Sequence, residues 1–239
     1  MRTVVVSDDS TPVEFGILVF PKVQQLDLTG PYEVFASWPP ARVRLVAGTL
    51  EPVISATGLV LKPDLSFDDA PQFDVFCIPG GAGVNALMSD EATLDFVRRQ
   101  AESARFVTSV CTGALVLGAA GLLAGKRATT HWVSHHLLAT FGAKPVHARV
   151  VRDGNLMTGG GVTAGIDFAL TLIAELAGRE ASEAIELGLE YAPAPPFNAG
   201  SPETAPAAVA AAVRKRLAPV VEERRALAEK AARRLGLGA

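Results

Sequence analysis

The chain has 239 residues, of which 49% are apolar and 20% are charged, and its formal net charge is −3. This composition lies far from that of disordered chains and predicts a protein with a sizeable buried core. The weakly acidic balance, with a sequence pI near 5.8, argues against nucleic acid as the main partner.

Short apolar runs predict strands at residues 15–20 (FGILVF), 43–47 (VRLVA), 73–78 (FDVFCI) and 106–110 (FVTSV). Their nearly continuous apolar character is typical of strands that are covered on both faces. Helical patterns come between and after these strands, at residues 31–37, 90–103, 112–119 and 133–140. This alternation predicts an α/β fold, Rossmann-like or flavodoxin-like, with a mostly parallel sheet and helices on both of its faces.

Two further segments have the pattern of hairpins. Residues 53–61 carry Thr-Gly between apolar pairs, and residues 149–158 carry Asp-Gly-Asn between Val-Val and Leu-Met. The second pattern is the stronger, because Asp-Gly readily takes the positive φ angles of a tight hairpin. Helices are predicted after it at residues 163–176 and 180–189.

The composition of the chain changes at Tyr191, where a proline-rich segment (YAPAPPFNAGSP) begins. From Pro206 the sequence predicts one long helix that is rich in Ala, Arg and Glu. We therefore expect an α/β domain over residues 1–190 and an arm over residues 191–239. The arm is expected to pack on the body or on a partner subunit, and a nucleic-acid-binding arm is the less favoured interpretation of its basic charge.

The cysteine count and the apolar stretches bear on the compartment. Cys77 and Cys111 are too few for a disulfide framework. The longest apolar stretch, residues 114–125, is interrupted by two glycines and is shorter than the ~18 residues that a membrane span needs. We therefore expect a soluble protein of a reducing cytoplasm that does not enter a membrane.

Cys111 stands where a buried strand passes directly into a helix (FVTSVCTGALVL). This is the arrangement of a nucleophile elbow, a sharp turn that exposes one side chain above the edge of the sheet. Gly113 leaves room for the turn, whereas Ser109 is small but is not the glycine of the full motif. Free N–H groups and the helix dipole favour the thiolate here. We predict that Cys111 is a nucleophile and that Cys77, inside an apolar strand, is a core residue.

A nucleophile needs hydrogen-bond donors for the anion that develops beside it. The amide of Thr112 is expected to supply the first. The loop PGGAG at residues 79–83 is expected to supply the second, because neighbouring parallel strands end at the same edge of the sheet. Gly80 and Gly81 would allow backbone amides to approach a ligand closely.

The acid–base partner of the cysteine is predicted at Asp27, in the loop after the first strand and therefore at the same edge. Leu26 and Leu28 flank it, and Gly30-Pro31 is expected to open a helix. A carboxylate in apolar surroundings has a raised pKa and can carry protons near neutral pH. The alternative, an aspartate that only caps this helix, stays open.

The histidines do not form a recognisable metal motif; they are His131, His135, His136 and His147. Two of them are spaced i and i+4 (HWVSH), but the Glu that a zinc protease requires is missing. We predict no metal site, and expect these side chains to cap a helix, to pack or to face solvent.

The motifs together resemble a known family. Strand–PGG–helix, strand–VCTGA–helix, ATTHW and the helix of GGGVTAGID are similar to the ThiJ/PfpI superfamily of class I glutamine amidotransferase-like proteins. The longer segments QQLDLTGP and EYAPAPPFNAGSP resemble its isocyanide hydratases more narrowly. The similarity runs from about Phe15 to the C-terminus.

The resemblance implies hydration of an organic isocyanide, R–NC, to an N-formamide, R–NH–CHO, with neither a metal nor an organic cofactor. It implies that Cys111 is the nucleophile, Asp27 the acid–base carboxylate and Thr112 the supporting residue. Attack of the thiolate on the isocyanide carbon gives a thioimidate, which water then hydrolyses. The resemblance also implies that the backbone of Gly160 and Val162 lines the pocket and that the protein is a homodimer.

Two other functions stay open. One is a non-catalytic, ligand-sensing module related to AraC-type regulators, which also carry VCTGA and TTHW. Those regulators continue into a helix-turn-helix pair. Only 39 residues follow Gly200 here, which we expect to be too few for such a pair. The other is a different ThiJ/PfpI activity, a glyoxalase or a hydrolase. Such relatives often have His directly after the cysteine and Glu as the carboxylate, so that Thr112 and Asp27 argue against it.

Overall fold

The structure, a computed structural model, describes residues 12–237. Its strands are β1 (Val13–Leu18), β2 (Ala41–Ala47), β3 (Val53–Ile54), β4 (Val60–Leu61), β5 (Leu65–Ser66), β6 (Val75–Ile78), β7 (Phe106–Val110), β8 (Arg127–Ala128), β9 (Lys144–Pro145), β10 (Val150–Asp153) and β11 (Leu156–Gly159). A seven-stranded sheet has the order β10-β11-β7-β6-β1-β2-β5, and only β10 runs antiparallel to its neighbour. The predicted mostly parallel sheet is therefore confirmed.

Helices surround this sheet. They are α1 (Gln25–Ala36), α2 (Val84–Leu87), α3 (Glu91–Ser103), α4 (Ala114–Ala119), α5 (Ala164–Ala177), α6 (Arg179–Gly188) and α7 (Ala207–Arg234). Helices α1 and α5 pack together, with α6 against α5, while α3 and α4 pack together, with α7 against α4. Both groups contact strands of the sheet, as expected for helices on both faces of an α/β fold.

The direction of the strand order reverses between β1 and β6. The chain passes from β1 through α1 to β2 on one side, and from β6 through α3 to β7 on the other. Because these crossovers are right-handed, they place the two helices on opposite faces of the sheet. The reversal opens a crevice at the carboxyl ends of the strands, which is where α/β folds of this kind bind ligands.

Helix α1 begins earlier than the sequence indicated. It starts at Gln25, so Pro31 lies inside it and does not open it. Proline removes one helical hydrogen bond, in this case to the carbonyl of Asp27. Pro31 is nevertheless buried and packs closely against Gly165 of α5. Tertiary packing therefore outweighs the local preference, and the prediction of a loop at Asp27 is wrong.

Two other predicted helices are 3₁₀ helices, one in full and one in its first turn. The segment predicted as a helix at residues 133–140 is a 3₁₀ helix, Trp132–Phe141, which ends at Gly142 with φ +71°. The helix predicted at residues 112–119 begins with a 3₁₀ turn, Cys111–Gly113, before α4. Both predicted hairpins are present, as β3–β4 and β10–β11.

The C-terminal helix α7 packs on the body of its own chain. Small residues on one of its faces (Ala228, Ala231 and Ala232) are buried, and it contacts α4 and the 3₁₀ helix Trp132–Phe141. None of the helices described has both the length and the apolarity that crossing a membrane requires.

Candidate active site

The crevice at the strand ends brings together three of the segments that the sequence singled out. Asp27 follows β1, Gly80 follows β6 and Cys111 follows β7, and these three strands are neighbours in the sheet. Their carboxyl ends therefore lie at one edge, on either side of the point where the strand order reverses.

Cys111 occupies a strained turn directly after β7. Its φ of +54° lies in the left-handed region, which non-glycine residues seldom adopt. The turn is held by the hydroxyl of Thr130, which donates to the Cys111 carbonyl oxygen at 2.6 Å. A Cβ atom at Gly113 would stand 2.0 Å from the carbonyl oxygen of Ile78, so only glycine fits there. The predicted sharp turn is present, but its cysteine is buried, at 5% exposed, so the expectation that the turn exposes this side chain is wrong.

Asp27 lies in the first turn of α1, completely buried. Its Oδ2 accepts a hydrogen bond of 2.9 Å from the amide of Gly80, whereas its Oδ1 has no partner among the residues described. The residue that precedes the helix as its cap is Gln24. The interpretation of Asp27 as a helix cap is therefore wrong, and Oδ1 is left for a proton.

The amides of Gly80 and Gly81 were predicted to donate to an anion in the site, but they donate to side chains of the protein. Gly80 donates to Asp27, and Gly81 donates to the hydroxyl oxygen of Thr112 at 3.0 Å. The loop therefore positions the acid and the threonine, and these two N–H groups are not free for an anion. A Cβ atom at Gly80 would stand 2.5 Å from the Thr112 nitrogen and 2.7 Å from the Asp27 Oδ2, which explains the requirement for glycine.

Burial determines the ionisation of the pair. Desolvation raises the pKa of Asp27 from 3.8 to about 7, although the Cys111 side chain and the Gly80 amide lower it. Desolvation, followed by the charge of Asp27, raises the pKa of the Cys111 thiol, while the Thr112 amide lowers it. The sequence suggested that the helix terminus activates the thiol. The structure shows that burial and Asp27 oppose this effect, so the helix terminus is not sufficient by itself. The Asp27 carboxyl therefore loses its proton at a lower pH than the Cys111 thiol does.

A cavity of about 890 Å³ lies beside this edge. Its lining includes residues 160–163, Thr130, Trp132 and part of the proline-rich segment around Phe197, whereas Cys111 and Asp27 are not among the lining residues. Thr130 lines this cavity and also donates a hydrogen bond to the carbonyl oxygen of Cys111. Gly160 and Val162 both line the cavity. The Gly160 amide donates to the carbonyl of Arg149, so it is not free to bind a ligand.

The histidines near the cavity have structural contacts. His131 precedes the 3₁₀ helix and accepts from the Val133 amide, and burial together with Arg224 lowers its pKa to about 4. His135 stacks on His147 with 3.7 Å between ring centroids. Over residues 12–237 no group of three His, Cys, Asp or Glu side chains could hold a metal ion. Cys77 is fully buried, and desolvation raises its pKa to about 12.

Sequence reasoning missed one residue of this region, Arg224 of α7. It is buried and binds the carbonyl of Gly81 as well as Asn85 and Ser134. No local pattern marks it, because its partners lie 90 or more positions away in the chain.

Comparisons with known proteins show what the whole chain is similar to. Residues 15–175 match the model of the DJ-1/PfpI family. A Pseudomonas putida protein named isonitrile hydratase is 63% identical, over 94% of this chain and 99% of that protein. The crystal structure of a ThiJ/PfpI family protein from Pseudomonas syringae has a TM-score of 0.90 at 43% identity, covering 95% of this chain and 97% of the other. The transcriptional regulator GbdR of Pseudomonas aeruginosa is 37% identical, over 56% of this chain and 36% of the regulator.

Proposed function

The chain belongs to the DJ-1/PfpI family, and we propose that it hydrates organic isocyanides, R–NC, to N-substituted formamides, R–NH–CHO. The placement of Cys111 beside a buried acid, Asp27, carries this proposal. Its support from the comparisons is a relative named isonitrile hydratase that matches nearly the whole length of both chains.

The first proposed step is the addition of the thiol to the terminal carbon of the isocyanide. Cys111 forms the C–S bond, and its proton passes through Asp27 to the same carbon. The product is a thioimidate, R–N=CH–S–Cys111. Asp27 suits this transfer, since a pKa of about 7 allows a carboxyl group both to accept and to release a proton near neutral pH.

The second step is hydrolysis of the thioimidate. Water forms a C–O bond at the former isocyanide carbon as one of its protons passes to nitrogen, again by way of Asp27. The resulting carbinol then forms its C=O bond while the C–S bond breaks, and the hydroxyl proton returns to sulfur. The sum is R–NC + H₂O → R–NH–CHO, and Cys111 ends in its starting state.

A ligand-sensing module is the second candidate, and the match to the regulator GbdR favours it. That match, however, covers about half of this chain, whereas the hydratase matches almost all of it. A sensor would also give no reason for a buried acid with an unpartnered oxygen beside the cysteine. Hydration is therefore the function that the site supports best.

The decisive experiment is the incubation of purified protein with an alkyl or aryl isocyanide, with no metal added, while formamide absorbance is followed. Cys111→Ala should abolish turnover, because the bond-forming atom is removed. Cys77→Ala is the matched control, since it removes the other buried cysteine and should retain activity. Full activity of Cys111→Ala, or none in the parent, would refute the proposal.

We further propose that the protein is a cytoplasmic homodimer, with residues 1–190 as the catalytic unit and residues 191–239 as a proline-rich segment and C-terminal helix that pack on the body or on the partner subunit. Leu187 and Phe197 support this assembly, because they are 81% and 79% exposed on the single chain. Both cysteines are free thiols, as in a reducing compartment. Light scattering on the purified protein should give twice the mass of one chain, and a monomer would contradict the assembly.

A further inference from the structure

Arg224 is a buried arginine whose partners are all neutral. Its side chain projects from α7, and the residue is 4% exposed. Nε donates to Asn85 Oδ1 and Nη1 to Ser134 Oγ, both at 2.9 Å, while Nη2 donates to the Gly81 carbonyl at 3.4 Å. The guanidinium therefore ties together α2, the 3₁₀ helix Trp132–Phe141 and the loop that positions Asp27.

The charge of this guanidinium lacks a direct counter-charge. Arginine remains protonated in proteins, and a buried charge is costly unless an opposite charge compensates it. Among the ion pairs of residues 12–237, none includes Arg224. Glu223, the adjacent acid, is exposed and binds the Asn85 amide instead.

Two acidic groups partly compensate this charge: burial lowers the pKa of Arg224, while Cys111 and, after it, the exposed Glu223 raise it. His131, which precedes the 3₁₀ helix, is also near this charge, but with a pKa of about 4 its side chain is neutral. Cys111 is thus the buried acidic group that interacts with the charge of Arg224, which lowers the pKa of the thiol, while the charge of Asp27 raises it.

We propose that Arg224 is the internal counter-ion of the Cys111–Asp27 pair, and that it holds this pair in its singly deprotonated, anionic form at neutral pH. Arg224 is connected to the pair through Gly81, whose carbonyl it binds and whose amide binds Thr112. It is thus a positioning residue that acts on the thiol by charge and through this loop, without contact with the substrate. The inference rests on the proposed role of Cys111 as the nucleophile.

The test is the pH dependence of Cys111 alkylation by iodoacetamide, followed by mass spectrometry of the Cys111 peptide. Only the thiolate reacts, so the midpoint of the profile reports the pKa of the thiol. Alkylation needs no isocyanide, so its outcome is independent of whether the protein is a hydratase. Melting curves and circular dichroism establish that each variant is folded.

Three variants separate charge from structure. Arg224→Gln removes the charge and keeps polar contacts, and should move the alkylation midpoint upward by about one pH unit, which is about tenfold slower alkylation below the midpoint. Arg224→Lys keeps the positive charge but loses the planar set of guanidinium donors. It should shift the alkylation midpoint by less than half as much as Arg224→Gln does. Arg225→Gln is the matched control, since this neighbour is exposed and paired with Glu222 and Glu229.

The outcomes decide the matter in either direction. A midpoint that stays in place in folded Arg224→Gln, or that moves equally in Arg225→Gln, overturns the proposal. If Arg224→Gln does not fold, Arg224→Lys decides alone, because a parent-like profile supports the role of charge and an upward shift of about one unit contradicts it.

Discussion

Gly80→Ala tests the geometry of the site with a single methyl group. The backbone at Gly80 lies outside the left-handed region, so alanine is conformationally allowed. The added Cβ would nevertheless stand 2.5 Å from the Thr112 nitrogen and 2.7 Å from both the Asp27 Oδ2 and the Thr112 Oγ1. All three distances are shorter than van der Waals contact, so the loop has to move away from the acid and the threonine.

The expected loss of activity can be estimated from the hydrogen bond that this movement breaks. The Gly80 amide donates to the Asp27 carboxyl at 2.9 Å, and a hydrogen bond to a charged group contributes about 1.5–3 kcal/mol. If the reaction uses Asp27 in its present position, losing this bond raises the barrier by a similar amount. At 1.36 kcal/mol per decade this predicts a loss in kcat/KM of about tenfold to a hundredfold.

The assay compares kcat/KM for isocyanide hydration with the melting temperature of each variant. Gly188→Ala is the control, because nothing lies within 4 Å of a Cβ atom at that helical position. It should retain full activity and a melting temperature at or above that of the parent, since alanine favours a helix. Full activity of folded Gly80→Ala would show that the position of Asp27 is not needed for catalysis.

The remaining predictions concern Asp27, Thr112 and metal ions. Asp27→Asn should lower kcat/KM by orders of magnitude, and unchanged kinetics would remove its acid–base role. Folding raises the pKa of Asp27 from 3.8 to about 7, so this group stabilises the fold fully below pH 3.8 and loses that contribution as the pH rises through 7. The melting temperature of the parent should therefore fall more steeply than that of Asp27→Asn as the pH rises from 3.8 to about 7, and parallel curves over this range would contradict the desolvation of Asp27. Thr112→Val should lower kcat/KM about tenfold or more, because the Gly81 amide loses its acceptor; Thr112→Ser should not, and equal rates for both would refute this role. EDTA should leave turnover unchanged, and inhibition that an added metal ion reverses would reopen the question of a metal site.

The elbow and the strands could be predicted because their signals are local. An apolar run that ends in a cysteine, with a glycine two residues later, specifies a strand that turns sharply into a helix. The Asp-Gly sequence specifies the hairpin β10–β11 in the same way. Once the strands are parallel, the carboxyl edge follows from topology, and with it the meeting of Asp27, Gly80 and Cys111.

The rest depends on tertiary contacts that no local pattern encodes. Pro31 lies inside α1 because it packs against Gly165, which is distant in the chain. The Gly80 and Gly81 amides are committed to side chains that reach them from other elements. The contacts of Arg224 likewise join α7 to segments 90 and more residues earlier. Sequence therefore identifies which residues meet at the edge, but not the network that sets their protonation.

Three unfavourable features converge at this one edge of the sheet. Cys111 has a left-handed backbone, Asp27 has a buried oxygen without a partner, and Arg224 has a buried charge with neutral acceptors. Each costs on the order of 1 kcal/mol or more, and a merely structural sheet edge would gain from losing all three. The last two residues act on one thiol in opposite directions, since the charge of Asp27 raises the pKa of Cys111 and the charge of Arg224 lowers it. Their coincidence suits a proton-transfer site, because a buried carboxyl with a pKa of about 7 can both accept and release a proton near neutral pH.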